Sequence, residues 1–291
     1  MTPMATPEQT QTMVCYRHPR NETAVTCSSC GRPICTECMV FAPVGIKCPE
    51  CAGVPTGAKK AAVRAQRSFS VAGTDFIVTK VLIAVNVFVF LAQVVQSGSL
   101  TNPFGELFIR GALYGPAVAN GDWYRLVSCA FLHGSFLHIF FNMLMLWWFG
   151  RPLEHLLGRV RFLAIYFISI LAGSAGALVI TPDRPTIGAS GAVFGILGAG
   201  LVLERHNINV FGGSALIVVI LNLALSFTLN SVSIGGHVGG LIGGALCIMV
   251  LSGFGRGHAA YGRFNIVAAV GLVSIAVGSV LIAYLKVRGY A

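Results

Sequence analysis

The chain has 291 residues, 55% hydrophobic and only 10% charged, with a mean hydropathy of +0.77. Such values exclude an ordinary soluble domain and imply several bilayer crossings. The formal net charge of +10 does not imply nucleic acid, because lysines and arginines beside apolar spans report topology first, and no nucleic-acid partner is expected.

Residues 1–14 are polar and expected to be disordered. Residues 15–52 then carry Cys15-x2-His18, Cys27-x2-Cys30, Cys35-x2-Cys38 and Cys48-x2-Cys51, eight ligands in four pairs. A tetrahedral zinc takes four thiolate or imidazole ligands, and a short pair is presented by one tight turn, so eight ligands imply two closed structural zinc sites. So small a segment buries too little apolar surface to fold alone, and metal would supply much of its folding free energy. Disulfides are the competing reading, although seven cysteines in this stretch leave one over. The pattern resembles the B-box class of zinc finger. That resemblance implies interleaved pairing: Cys15, His18, Cys35 and Cys38 on one ion, Cys27, Cys30, Cys48 and Cys51 on the other.

Residues 53–75 form a basic linker with Lys59, Lys60, Arg64 and Arg67, suited to anionic headgroups or to a plain stop-transfer flank. No cleavable signal peptide is visible, so the first apolar run would act as an uncleaved anchor. Runs long enough for a hydrocarbon core of about 30 Å fall near 76–96, 134–150, 160–181, 187–204, 208–229, 232–252 and 264–285. With the N-terminus inside, 15 of the 20 Lys and Arg residues lie on the inner side. The positive-inside rule thus favours a cytoplasmic zinc module and an outer C-terminus. The loop at 97–133, with Phe104, Phe108, Trp123 and Tyr124, suits an amphipathic segment in the interface. Arg256 to Arg263 reads as a hinge into the last span.

An ionisable group within a span is costly and therefore suggests a task. Ser190, in Gly188-Ala-Ser190-Gly191, begins the fourth span after the turn Thr181-Pro182-Asp183-Arg184-Pro185, and His237, in Gly235-Gly236-His237, lies in the sixth. Serine attacks only when a base takes its proton, and His237 is the base on offer. Gly191 and Gly195 on one helix and Gly236, Gly240 and Gly244 on the other would let the two backbones approach. Carboxylates occur only at span ends or in loops, so a Ser-His dyad without a third acidic member is the economical assignment. His133, His138 and Asn142 add polar groups in the second span; His138 and Asn142 share a helix face, where side-chain donors could complete an oxyanion hole or lock the bundle. Asn86 and Asn222 read as interhelical packing contacts, Cys129 and Cys247 as small buried hydrophobes.

Gly188-x-Ser190-Gly191, His237 with Gly240 and Gly244, His133-x4-His138-x3-Asn142 and Gly150-x3-Glu154-x3-Gly158 together resemble the rhomboid family of intramembrane serine proteases, over roughly residues 75–285. The resemblance implies an all-α polytopic membrane fold: a rhomboid-like six-helix bundle plus one C-terminal transmembrane helix, within residues 76–286, behind the small zinc-binding module. It implies Ser190 as nucleophile, His237 as general base and acid, and His138 and Asn142, with the backbone around Gly188 and Ser190, as oxyanion support. Transmembrane proteins would be the substrates, entering from the lipid bilayer near the fifth span to a site open to the extracytoplasmic side of the cell membrane. Water would arrive through the His and Asn cavity. No cofactor is expected in the protease site, and the zinc module would serve regulation or hold a cytosolic protein. Two departures stand out: the family's Trp-Arg pair is Tyr124-Arg125 here, and Phe194 is expected to stack on His237 without offering a hydroxyl.

Overall fold

The computed structural model describes residues 13–42, 45–52, 76–228, 232–252 and 266–290. The basic linker and the Arg256 to Arg263 hinge lie outside the described residues. The chain divides into two units, Met1–Asp75 and Phe76–Ala291.

In the first unit two short antiparallel hairpins, β1 (Met13–Val14) with β2 (Glu22–Thr23) and β3 (Val40–Ala42) with β4 (Gly45–Lys47), frame a core of five cysteines and Ile34. Each ligand pair sits on a turn closed through the backbone, as in Cys38 N to Cys35 O at 2.8 Å and Gly31 N to Cys27 O at 2.8 Å. None of the nine cysteines is joined in a disulfide, against the disulfide reading.

The second unit is helical. Among the described residues, four segments are long and apolar enough to cross a bilayer: α1 (Ile77–Ser97), α7 (Arg159–Ile180), α10 (Ile234–Leu251) and α11 (Ile266–Val287) with the turn beyond it. A further helix runs from Phe136 to Leu157 and is entered through a bend of 96°. It comprises α5 (Phe136–Met145), a π-helical turn at Leu146–Gly150 and α6 (Arg151–Leu157). Two helices are shorter, α8 (Ser190–Arg205, 16 residues) and α9 (Ala215–Thr228, 14 residues). At 1.5 Å per residue α8 rises about 24 Å, less than a bilayer's roughly 30 Å core. Every expected span thus carries a helix, and the protein is a multi-pass membrane protein.

The middle of the bundle is α7, α8 and α10, packed backbone against backbone. A Cβ on Gly240 would stand 2.0 Å from the Gly191 carbonyl oxygen, and one on Gly244 would stand 1.9 Å from that of Gly195. On the α7 side a Cβ at Gly239 would meet the Ala172 oxygen at 2.3 Å. Without a hydrophobic drive between helices in lipid, such close approach supplies the dispersion contacts that hold them. Phe162, Ile165, Ile196 and Leu197 fill the core around this seam.

Polar groups tie the ends. The buried Glu154 carboxylate accepts from Val78 N (3.0 Å), Thr79 N (2.8 Å) and Thr79 Oγ1 (2.7 Å), capping the first turn of α1. Glu204, at the end of α8, accepts from Phe211, Gly213 and Ala215 N and so fixes the start of α9. The Asn86 and Asn222 amides each donate to a carbonyl four residues back on their own helix, Leu82 O at 2.7 Å and Val218 O at 2.8 Å. The buried Asn86 also meets the Tyr166 hydroxyl of α7, as expected of an interhelical contact, whereas the Asn222 amide bond stays within its own helix.

Candidate active site

The loop before the second span folds rather than drapes. It holds α2 (Glu106–Gly111), α3 (Gly115–Ala119), α4 (Arg125–Ser128) and a 3-10 turn at Cys129–Phe131. Arg125 pins it: Nη1 donates to Ile109 O (2.8 Å) and Ala112 O (2.9 Å), and Nε to Asp122 Oδ2 (2.9 Å). The exposed Tyr124 donates to Arg110 O at 3.0 Å, so the Tyr-Arg version of the pair still closes the loop. The loop in turn grips the strand that leads into α8. Leu113 and Thr186 exchange both backbone hydrogen bonds, at 3.0 and 2.9 Å, and Gly188 N donates to Cys129 O at 2.9 Å. Gly188 has φ +114°, a conformation glycine adopts freely. The chain can therefore turn sharply there and open α8 at Ser190.

Ser190 is the first residue of α8, and His237 stands in the first turn of α10, behind the Ser233 cap whose Oγ accepts from Gly236 N at 3.1 Å. The glycine seam brings these two helix starts together, and His237 Nε2 lies 2.8 Å from Ser190 Oγ. The imidazole is buried and stacks on Phe194, with centroids 4.1 Å apart and planes inclined by 17°. A flat apolar ring on one face restricts the imidazole to rotation in its own plane.

The other ring nitrogen also has a partner, which sequence reasoning missed. Ser226, near the end of α9, places its buried Oγ 2.7 Å from His237 Nδ1. The only signal in the chain is the spacing Asn222-x3-Ser226, two polar residues one helical turn apart in an otherwise apolar run.

His138 and Gly188 are close: a Cβ on Gly188 would stand 2.7 Å from His138 Nε2 and 3.8 Å from Ser190 Oγ. His138 Nδ1 accepts from Gly134 N at 3.3 Å. A neutral imidazole that accepts at Nδ1 carries its proton on Nε2, here on the side of Gly188. Asn142 is buried one turn further on and spends one amide hydrogen on His138 O at 2.9 Å. His133 packs edge-on against His138, centroids 5.0 Å apart, and its buried ring nitrogens have no hydrogen-bond partner among the described residues.

A cavity of about 30 Å³ adjoins the pair, lined by Cys129, Ser174, Thr186, Gly188, Ser233 and His237 among others. It has room for about two waters. The polar lining of this cavity comes from the loop, α7 and the cap of α10, while His138 lies against Gly188.

In the N-terminal unit the eight ligands gather as two sets, Cys15, His18, Cys35 and Cys38, and Cys27, Cys30, Cys48 and Cys51, with donor atoms within 4.8 Å of one another in each. A tetrahedral zinc with bonds of about 2.3 Å to sulfur and 2.0 Å to nitrogen would separate its ligands by about 3.6–3.8 Å. Cys30 and Cys48 Sγ are 3.7 Å apart, and His18 Nδ1 lies 3.2, 3.4 and 4.0 Å from Cys35, Cys38 and Cys15. Cys48 N and Cys51 N donate to Cys27 Sγ and Cys48 Sγ, as backbone does to metal-bound thiolates. Burial opposes ionisation of Cys27, yet hydrogen bonds from the backbone of Cys48, Ser29 and Cys30 outweigh it and bring this thiol down to about 6. Burial, with Cys15 and Cys35 alongside, pushes Cys38 up to about 12. Crowded thiolates repel, and a dication is what would let the thiols of each set ionise together. Both sets fit a metal ion.

The Rhomboid domain family matches residues 120–254, a stretch holding Ser190, His237, His138 and Asn142. The chain is 35% identical to the rhomboid protease GluP of Bacillus subtilis over 204 residues, 69% of this chain and 39% of that protein. It is 38% identical to the Bacillus subtilis rhomboid relative YdcA over 138 residues, 46% of this chain and 69% of the relative. Over 149 residues it is 37% identical to RHOMBOID-like protein 5 of Arabidopsis thaliana, 48% of each chain. The chain therefore spans well under half of GluP and most of YdcA, and it belongs to the rhomboid family.

Proposed function

We propose that the protein is an intramembrane serine endopeptidase that cleaves transmembrane proteins, with Ser190 as nucleophile and His237 as general base. The observation that carries this reading is the 2.8 Å contact between Ser190 Oγ and His237 Nε2 at two facing helix starts inside an apolar bundle. His237 Nε2 takes the Ser190 proton as Oγ attacks the scissile carbonyl, forming the new C–O bond and an oxyanion. The imidazolium then protonates the leaving amine as the C–N bond breaks, giving an acyl-enzyme. Water, for which the cavity beside Thr186 and Ser233 has room, attacks the ester while His237 again accepts the proton, and Ser190 is released.

The oxyanion draws on donors around Gly188: the N–H groups of the first turn of α8, which have no partner within the helix, His138 Nε2–H, and the remaining amide hydrogen of Asn142. A hydrogen-bonded helix hides its carbonyls, so the substrate must unwind locally to reach Ser190.

The two ligand sets of the N-terminal unit suit zinc, which would cross-link the turns of a segment too small to hold a core. We assign that unit to the cytoplasmic side on the distribution of Lys and Arg, and with it a role in binding a cytosolic protein or regulating access. The active site then opens to the extracytoplasmic side.

Purified protein in lipid vesicles, given a transmembrane model substrate, tests the reading. Wild type is expected to cleave it, and Ser190→Ala and His237→Ala to lose cleavage while keeping the wild-type melting temperature. Full proteolysis by Ser190→Ala would refute the assignment.

A further inference from the structure

Behind His237, where a serine hydrolase commonly holds a carboxylate, the described residues offer a hydroxyl. Ser226 Oγ makes two contacts of 2.7 Å, one to His237 Nδ1 and one to Asn222 O four residues back on α9. Counting protons across these contacts decides their direction. A carbonyl oxygen only accepts, and a serine hydroxyl has one hydrogen. Ser226 therefore donates to Asn222 O, the back-bond serines commonly make in helices. Its lone pairs then face His237 Nδ1, which must carry a proton; the opposite tautomer would set lone pairs against each other at one of the contacts. With the proton on Nδ1, neutral His237 has a bare Nε2 facing Ser190 Oγ, the arrangement a general base requires.

We infer that Ser226 is a positioning residue that selects the productive tautomer of His237, doing with a neutral hydroxyl what an acidic third member does elsewhere. It stands on α9, whose Leu216, Ile217, Ile220 and Leu221 are exposed, whose Val219 packs in the core, and whose start is held by Glu204. The base is accordingly complete only when the far end of α9 is packed against α10. This inference rests on the protease reading for its catalytic consequence but not for its chemistry.

The test uses the full chain in phospholipid vesicles as wild type, Ser226→Ala and Ser226→Thr. Solid-state NMR of 15N-histidine protein, with His237 assigned by difference against His237→Ala, reads the tautomer without substrate. Wild type and Ser226→Thr should show protonated Nδ1 and bare Nε2 at His237, and Ser226→Ala a mixture. Kinetics with a transmembrane substrate should give a kcat for Ser226→Ala lower by roughly 10- to 100-fold, the scale of one lost buried hydrogen bond. KM should stay within about twofold, the melting temperature should fall by a few degrees at most, and Ser226→Thr should recover most of kcat. A wild-type His237 with its proton on Nε2 overturns the inference, as does a Ser226→Ala protein with unaltered tautomer and kcat. If neither wild type nor Ser190→Ala cleaves, the protease reading falls while the tautomer measurement still judges Ser226.

Discussion

Gly240→Ala is the substitution whose effect the structure states most directly. Its Cβ would stand 2.0 Å from Gly191 O, 2.8 Å from Gly191 C and 3.1 Å from Gly191 Cα, all backbone, so no side chain can swing aside. Restoring an ordinary 3.4 Å contact from 2.0 Å requires α10 and α8 to separate by 1.4 Å along that direction. Gly191 follows Ser190, and Gly240 lies three residues beyond His237, so the separation opens between nucleophile and base. Half of it would stretch the 2.8 Å contact to about 3.5 Å, the limit of a hydrogen bond. A misplacement near 1 Å costs about 100-fold in rate, and that is the expected fall in kcat. Gly278→Ala on α11, where a new Cβ meets nothing within 4 Å, is the control and should retain wild-type cleavage. Steady-state cleavage of a transmembrane substrate in lipid, with melting curves for each variant, makes the comparison. Equal kcat in Gly240→Ala and wild type would refute the claim that backbone contact sets the site.

Glu154→Gln replaces a three-bond acceptor by a group that can match only part of it, leaving a buried donor of α1 unpaired; thermal unfolding should report a loss of about 1–3 kcal/mol. Arg125→Gln removes the fork that joins Ile109, Ala112 and Asp122, so limited proteolysis should nick the loop between 105 and 125 faster, with cleavage of substrate lowered through the Leu113 and Thr186 pairing. Elemental analysis of purified protein should find two zinc ions per chain. Cys27→Ser or Cys35→Ser should each reduce that to about one, because the ligand sets are separate.

The ligand spacing and the small-residue framing of Ser190 and His237 were legible in the sequence because each depends on local geometry: a turn that presents two thiols, or a helix face with no side chain to obstruct a neighbour. The folded loop was not legible, since it is fixed by Arg125 reaching carbonyls 13 and 16 residues away and no periodicity records that. Ser226 was hidden for another reason. Ser274 and Ser279 make the same back-bond, to Val270 O and Ile275 O, and nothing in composition separates them from Ser226. Only the packing of α9 against α10 puts one of the three beside an imidazole. Asn222 shows the converse, a polar residue in an apolar run that satisfies itself on its own helix.

A hydroxyl behind the base also answers to the solvent. A carboxylate near the middle of a bundle must be stripped of water, at a cost of several kcal/mol that attraction to a neutral imidazole does not return. Ser226 orients the ring with no charge to desolvate, but it does less for the imidazolium that forms when Ser190 gives up its proton. The compensation has to come from the reaction itself. The oxyanion develops within a few ångströms of that imidazolium, and opposite charges about 4 Å apart attract by on the order of 4 kcal/mol at an effective dielectric of about 20. On the proposed mechanism both charges appear together, where the first turn of α8 and His138, which lies against Gly188, would supply donors for the negative one. On that proposal the site is neutral at rest and charged only as a pair, which would let a serine nucleophile work where a standing ion is expensive.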